Sequence, residues 1–362
     1  SAYQLEDRYF ISSRKDLSLP GTPKAQVQKN ISYSGLPGTK RKLWCDIWEP
    51  PEQIKPSGLA LIYLHGSAWY LFDKDLGTRP FFNHLAAQGH VIMDVAYRLA
   101  PEADMMDMIQ DVKRAIGWLK DNALRFRIDP EKIVLSGGSA GGHLALMAAY
   151  TAGDLAFSPS ELVNEDLHVQ GAISLYGPSD LKEIYYHTRQ DITTRKRQGK
   201  PEKKAPKGMP KWVKRAMGKD FHRLGLNKGF ENAGALAPIL GGHPEEKPET
   251  YRFFSPIEHV SPDCPPTLII HGQHDLLAPV SSSQRLYKVL QKNKVISYLH
   301  LFPQTDHAFD LILPGISCSS HNAIYDIERF LAILSENTAN NNEPETSDET
   351  QVLSDVNDLI FI

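Results

Sequence analysis

The 362-residue sequence predicts an α/β fold: a mostly parallel sheet of eight strands with helices on both faces. Three observations carry this. Short apolar runs rich in β-branched residues recur along the chain. Longer helical patterns separate them, and no linker divides the chain into two independent cores. Strand then helix, repeated, implies right-handed crossovers and parallel pairing. In such sheets the reactive groups gather beyond the carboxyl ends of the strands.

The strands are expected, in chain order, at Gln28 to Ser34, Leu43 to Glu49, Leu59 to Leu64, Val91 to Ala96, Lys132 to Ser136, Val169 to Leu175, Thr267 to Ile270 and Ser297 to Phe302. Between the fourth and fifth, Met108, Val112, Ile116, Leu119, Ala123 and Phe126 recur at three- and four-residue steps, which predicts one amphipathic helix. Further helices are predicted over Phe81 to Gln88, Gly141 to Tyr150, Ser281 to Gln291 and Ser319 to Ser335.

Two segments break the alternation. From Arg195 to Lys228 there are thirteen lysines and arginines against Glu202 and Asp220, with three prolines; a helical stretch is expected only around Trp212 to Met217. From Glu336 to the end there are seven acidic residues and no basic ones, which predicts a disordered acidic tail over 336–362. Pairing of the two, within one molecule or between two in a homodimer, is one expectation; a solvated charge run is the commoner outcome.

Composition limits the function classes. The chain is 41% hydrophobic and 23% charged with a net charge of −3, the profile of a globular domain with no charge-based pointer to nucleic acid. No apolar run approaches the roughly 20 residues that cross a bilayer. Cys45, Cys264 and Cys318 are too few and scattered for a zinc cluster or a disulfide framework, and are read as buried structural cysteines. Sparse cysteines permit the cytoplasm, while a first residue other than Met hints at processing; the cytoplasm is the expectation over secretion.

Chemistry concentrates in four stretches. "IVLSGGSAGGHL", Ile133 to Leu144, runs a strand into four glycines around one serine and then into a helical pattern. Gly137 to Gly141 fits the nucleophile elbow G-x-S-x-G with Ser139 at its centre. Side chains on its neighbours would obstruct that turn, hence the small residues, and the helix that follows aims its N-terminus at developing negative charge. The stretch lacks G-K-[ST] and G-x-G-x-x-G, which sets phosphate and dinucleotide loops aside. Upstream, "LIYLHGSAWY" ends the third strand, where an oxyanion donor set is expected from backbone N–H groups of Gly66, Ser67 and Ala68, together with Ala140 beside the serine. His65 is read as bracing that loop.

A serine nucleophile needs a base, and the base an orienting acid. "LHLFPQTDHAFD" places His307 beyond the last strand, and "TLIIHGQHDLLAPV" places Asp275 beyond the one before. The order Ser139, Asp275, His307 is the one this arrangement expects. His271 and His274 are rival bases, and Asp306 and Asp310 rival acids. Asp306 adjoins His307 directly, where its side chain would point away from the imidazole, so Asp275 is preferred.

With "AYRLAPE" and "YGPSD" added, these motifs resemble the α/β-hydrolase superfamily. Within it they are similar to the esterases related to hormone-sensitive lipase, in particular the bacterial acetyl- and feruloyl-type carboxylesterases, over roughly residues 28 to 335. The resemblance implies the roles just given, no cofactor and no metal. It also implies a cap from residues 1–27 and an insertion after the sixth strand, about 181–255. Trp69 and Tyr70 then become candidates for the acyl pocket, with Tyr185, Tyr186 and Trp212 for the cap face. One departure concerns the loop after His65, glycine-rich in the family, which here has Ser67 and Ala68. The expected activity is hydrolysis of short-chain acyl esters through an acyl-enzyme on Ser139. The alternatives are a formamidase of the kynurenine formamidase type and an esterase acting on feruloyl or acetyl groups of polysaccharides.

Overall fold

The computed structural model describes residues 23–75, 77–187, 236–312 and 318–340. Eight strands form one sheet: β1 (Gln26–Gly35), β2 (Lys42–Glu49), β3 (Ala60–Leu64), β4 (Val91–Ala96), β5 (Ile133–Gly138), β6 (Gly171–Leu175), β7 (Thr267–Gly272) and β8 (Ser297–Phe302). Their order is β1-β2-β4-β3-β5-β6-β7-β8. β2 runs antiparallel to β1 and to β4, and every other pair is parallel.

Burial explains the sequence of the central strands. All five residues of β3 are buried, because helices cover both faces, so the strand reads as a continuous apolar run. Ala60, Ile62 and Leu64 join the core on one face; Leu61 and Tyr63 join the core on the other. The first face is covered by α2 (Met105–Asp121), α4 (Ala140–Tyr150) and α7 (Val280–Lys292), through Met108, Val112, Leu144 and Leu286. The second is covered by α1 (Arg79–Ala86), the short α8 (Phe309–Ile312) and α9 (Cys318–Asn340), through Phe82, Leu85, Phe309, Ile327 and Phe330. Every residue of α4 is buried, so that helix has no polar face.

The single helix expected up to Phe126 is two helices. α2 starts on a capping box, in which the Asp104 carboxylate accepts from the Asp107 N–H and Asp107 reaches back. It ends where the Asn122 side chain donates to the Trp118 carbonyl at 2.8 Å. α3 (Ala123–Phe126) then closes on Arg127 in the left-handed conformation. The apolar spacing persists across this break, which is why periodicity alone joined the two.

The excursion after β6 is described only at its ends. Residues 181–187 are helical, and α5 (Leu236–Leu240), α6 (Pro248–Phe253) and a 3₁₀ turn at Pro256–His259 lead back to the sheet. Tyr185 is buried here, its hydroxyl 2.6 Å from His243 Nδ1. The basic stretch 195–228 with Trp212 lies outside the described residues, as do residues 1–22 of the cap expected over 1–27 and residues 341–362 of the tail expected over 336–362; Gln26 and Val27, at the end of the expected cap, belong to β1. α9 itself continues to Asn340, beyond the expected stop at Ser335. Cys45 and Cys264 are buried free thiols. Among the described residues, no helix is long and apolar enough to cross a membrane.

Candidate active site

Ser139 stands between β5 and α4 at φ 54°, ψ −123°, a conformation that L-residues rarely adopt. It is held by its surroundings. The Ser139 N–H donates to the Leu175 carbonyl at 2.9 Å, and the His143 N–H donates to the Ser139 carbonyl at 3.0 Å. The four glycines are explained by close approach. A Cβ on Gly141 would sit 2.0 Å from the Leu64 carbonyl oxygen, and one on Gly137 would sit 2.5 Å from the Gly141 backbone. The strand-to-helix turn is packed directly against the end of β3, and only hydrogen fits at those two positions.

Two loops bring the other groups to the serine. His307 Nε2 lies 2.9 Å from Ser139 Oγ, and its Nδ1 lies 2.6 Å from Asp275 Oδ2. The three side chains thus form one hydrogen-bonded row across the carboxyl ends of β5, β7 and β8. The Asp275 carboxylate is tightly constrained: its Oδ1 accepts from the N–H groups of Leu277 and Ala278, both at 2.8 Å. Burial alone would raise the Asp275 carboxyl, but hydrogen bonds from His271 and His307 outweigh it and hold the group well below the usual carboxylate range. The Tyr176 ring flanks the imidazole, with centroids 4.5 Å apart, and its hydroxyl donates to Asp310.

The rival groups have other partners. Asp306 Oδ1 accepts from the His307 N–H at 2.7 Å and the Leu276 N–H at 3.0 Å, which ties the loop carrying Asp275 to the loop carrying His307. Asp310 takes the Tyr176 hydroxyl. His274 is exposed, and its backbone N–H donates to the Thr305 carbonyl at 3.0 Å. His271 is fully buried between Ser283, Ala278 and Asp275.

The loop after β3 resolves the departure noted at Ser67. Its side chain is buried, with Oγ accepting from the Trp69 N–H at 2.9 Å and lying 2.8 Å from the Tyr97 hydroxyl, which donates to the His65 carbonyl at 2.6 Å. The Ser67 hydroxyl therefore braces the loop. Ala68 and Trp69 both have positive φ, 46° and 64°, and Gly66 lies against the turn that carries Ser139, where a Cβ would come 3.1 Å from the Gly138 carbonyl. The N–H of Ala140, first residue of α4, has no acceptor within its helix. His65 is stacked on Tyr97 at 4.5 Å. Tyr97 is the residue here that sequence reasoning left without a role, although its motif was conspicuous.

Of the aromatic pair, Trp69 is only 4% exposed, and its indole N–H donates to His143 Nδ1 at 3.3 Å. His143 in turn donates from Nε2 to the Phe254 carbonyl at 2.8 Å, so the β3 loop is linked through α4 to the chain returning from the excursion. Tyr70 is half-buried, its phenol pushed up to about 12 by burial. A cavity of about 460 Å³ lies elsewhere, walled in part by Trp44, Phe72, Tyr97 and Arg98; none of Ser139, Asp275 and His307 lines it.

Burial also sets a pH dependence of stability. His65 and His143 are both lowered to about 4 by burial, with a hydrogen bond to backbone opposing the shift in each case. Between pH 6.5 and 4 the unfolded chain binds protons that the folded chain refuses, so stability rises with pH across that window and is lost on acidification. A shift of this size corresponds to at most about 3 kcal/mol per group. The melting temperature is expected to fall from pH 6.5 to 4, and His143→Gln is expected to flatten that fall.

A family model, BD-FAE, matches residues 45–214 and 219–290. The probable carboxylic ester hydrolase LipM of Mycobacterium tuberculosis is 31% identical over 295 residues, covering 79% of this chain and 57% of that protein. Esterase LipC of the same organism is 29% identical, covering 74% of this chain and 57% of LipC. The chain thus spans under two thirds of the length of these relatives. Among solved structures, a truncated carbohydrate esterase from gut microbiota has a TM-score of 0.62 at 22% identity, covering 87% of this chain and 98% of its own. An inhibited esterase B from Lactobacillus rhamnosis has 0.64 at 19%, covering 93% and 94%.

Proposed function

Since the chain belongs to the BD-FAE family and has the α/β-hydrolase fold, we propose that it is a serine carboxylesterase acting on short-chain acyl esters of small molecules. The observation that carries this reading is the row Ser139–His307–Asp275, joined at 2.9 and 2.6 Å and set on a strained strand-to-helix turn.

The reaction follows from the atoms in that row. Ser139 Oγ attacks the ester carbonyl while His307 Nε2 takes its proton. Asp275 Oδ2 accepts a hydrogen bond from the Nδ1–H of His307, which fixes the tautomer that leaves Nε2 free to act as a base, and it stabilises the imidazolium that forms. The oxyanion of the tetrahedral intermediate is held by the N–H of Ala140 with those of the loop Gly66, Ser67 and Ala68. His307 then protonates the leaving alcohol, the acyl group stays on Ser139, and water deprotonated by His307 releases the acid. Tyr70 is assigned to the acyl side; Trp69 is occupied by His143. The buried free thiols Cys45 and Cys264 support a reducing compartment as the site of action.

The test is a substrate panel of p-nitrophenyl acetate and butyrate, acetylated and feruloylated sugars, and N-formylkynurenine, each run beside Ser139→Ala. The expected result is turnover of the short esters that is lost in the variant. A wide preference for N-formylkynurenine would replace the esterase reading with a formamidase.

A further inference from the structure

We propose that His271 is a positioning residue for the reaction, setting how strongly Asp275 supports His307; this rests on the function proposed above. His271 is the next-to-last residue of β7, four residues before Asp275, and is fully buried. Its Nε2 stands 3.1 Å from Asp275 Oδ2 and 3.1 Å from the Ala278 carbonyl oxygen. Both of those atoms only accept, so Nε2 carries the proton. Nδ1 lies 2.7 Å from Ser283 Oγ, whose hydroxyl on α7 donates to it and holds that tautomer.

Asp275 Oδ2 therefore faces two imidazoles, His307 at 2.6 Å and His271 at 3.1 Å. The second donor draws charge density from the oxygen on which the first depends. Asp275 stabilises the His307 imidazolium less strongly than an unshared carboxylate would. The other groups around the pair do not substitute for His271. The amides of Leu277 and Ala278 occupy Oδ1, and Asp306 takes the main-chain N–H groups of Leu276 and His307. Asp310 is paired with Tyr176, whose ring packs on the imidazole. Ser139 occupies Nε2 of His307. Because Oδ1 keeps its two donors, removing His271 leaves Asp275 in place, which determines the sign of the effect.

The experiment measures the rate at which a fluorophosphonate labels Ser139 as a function of pH, in the full chain and in His271→Leu and His271→Gln, with ester kcat/KM beside it. In His271→Leu the acid limb of both profiles is expected to move up by about half to one pH unit, a three- to tenfold loss of rate at a pH on that limb. His271→Gln, which can return an N–H donor toward Oδ2, is expected to bring the limb back toward wild type. A limb unmoved in His271→Leu, or moved to lower pH, overturns the proposal while leaving the esterase reading intact. A limb that moves equally in both variants makes the effect one of packing and overturns it too. Failure of the wild type to label at Ser139 removes the esterase reading and this inference with it.

Discussion

Ser139→Ala is expected to lower kcat on p-nitrophenyl acetate by about 10⁴-fold or more. The hydroxyl is the only atom that connects His307 Nε2, 2.9 Å away, to a carbonyl carbon. Without it the N–H groups proposed to hold the oxyanion would still polarise the ester, so a residual rate of the size those groups supply is expected to persist. The fold is expected to be unaffected. Alanine at φ 54°, ψ −123° is no more strained than serine, and the backbone bonds to Leu175 and His143 do not involve the side chain. Melting of the variant beside the wild type checks this, and labelling by a fluorophosphonate is expected to vanish.

Asp275→Asn is expected to cost about 10⁴-fold in kcat at neutral pH, although it changes almost no volume. The two carboxylate oxygens have different partners, and this decides the effect. Two backbone N–H groups, of Leu277 and Ala278, point at Oδ1, so the amide oxygen of asparagine must take that place. Its NH₂ group is then forced into the position of Oδ2, where it meets Nδ1 of His307 and Nε2 of His271. A donor now faces the nitrogen that must carry a proton. His307 responds by moving its proton to Nε2, and that tautomer cannot accept from Ser139. Retention of more than a tenth of the wild-type rate would show that Asp275 does not set the tautomer. Folding of Asp275→Asn is checked by melting, since His271 keeps the Ala278 carbonyl as an acceptor.

Much of this architecture was legible in the chain because local patterns dictated it. The buried strands β3 to β7 are predominantly apolar, interrupted only by single buried polar residues such as Asp94 and Ser136, and such runs leave few alternatives for a chain covered on both faces. The glycines around Ser139 announced a backbone that Cβ atoms would obstruct, and the contacts at Gly137 and Gly141 supply the reason. The choice of Asp275 over Asp306 rested on the same kind of geometry. A carboxylate next in sequence to His307 turns to main-chain N–H groups, and that is where Asp306 points.

What stayed hidden depends on contacts between distant residues. The break at Asn122 comes from one side-chain bond to the Trp118 carbonyl and leaves the apolar spacing intact. Tyr97 fixes the β3 loop through His65 and Ser67, thirty residues away, with no periodic signature. His271 was weighed only as a rival base, because its neighbours Ser283 and Ala278 become visible only once α7 is folded against β7. The short helices α5 and α6 lack the length over which helical spacing can be recognised.

The central claim is that the Ser139 hydroxyl becomes covalently acylated when His307 removes its proton. Its most direct measurement is mass spectrometry of the protein quenched during turnover of p-nitrophenyl butyrate, followed by peptide mapping, with His307→Ala beside it. A single butyryl group is expected, carried on the peptide containing Ser139 and missing from His307→Ala. Turnover with no adduct on that peptide, or with an adduct on another residue, would contradict it.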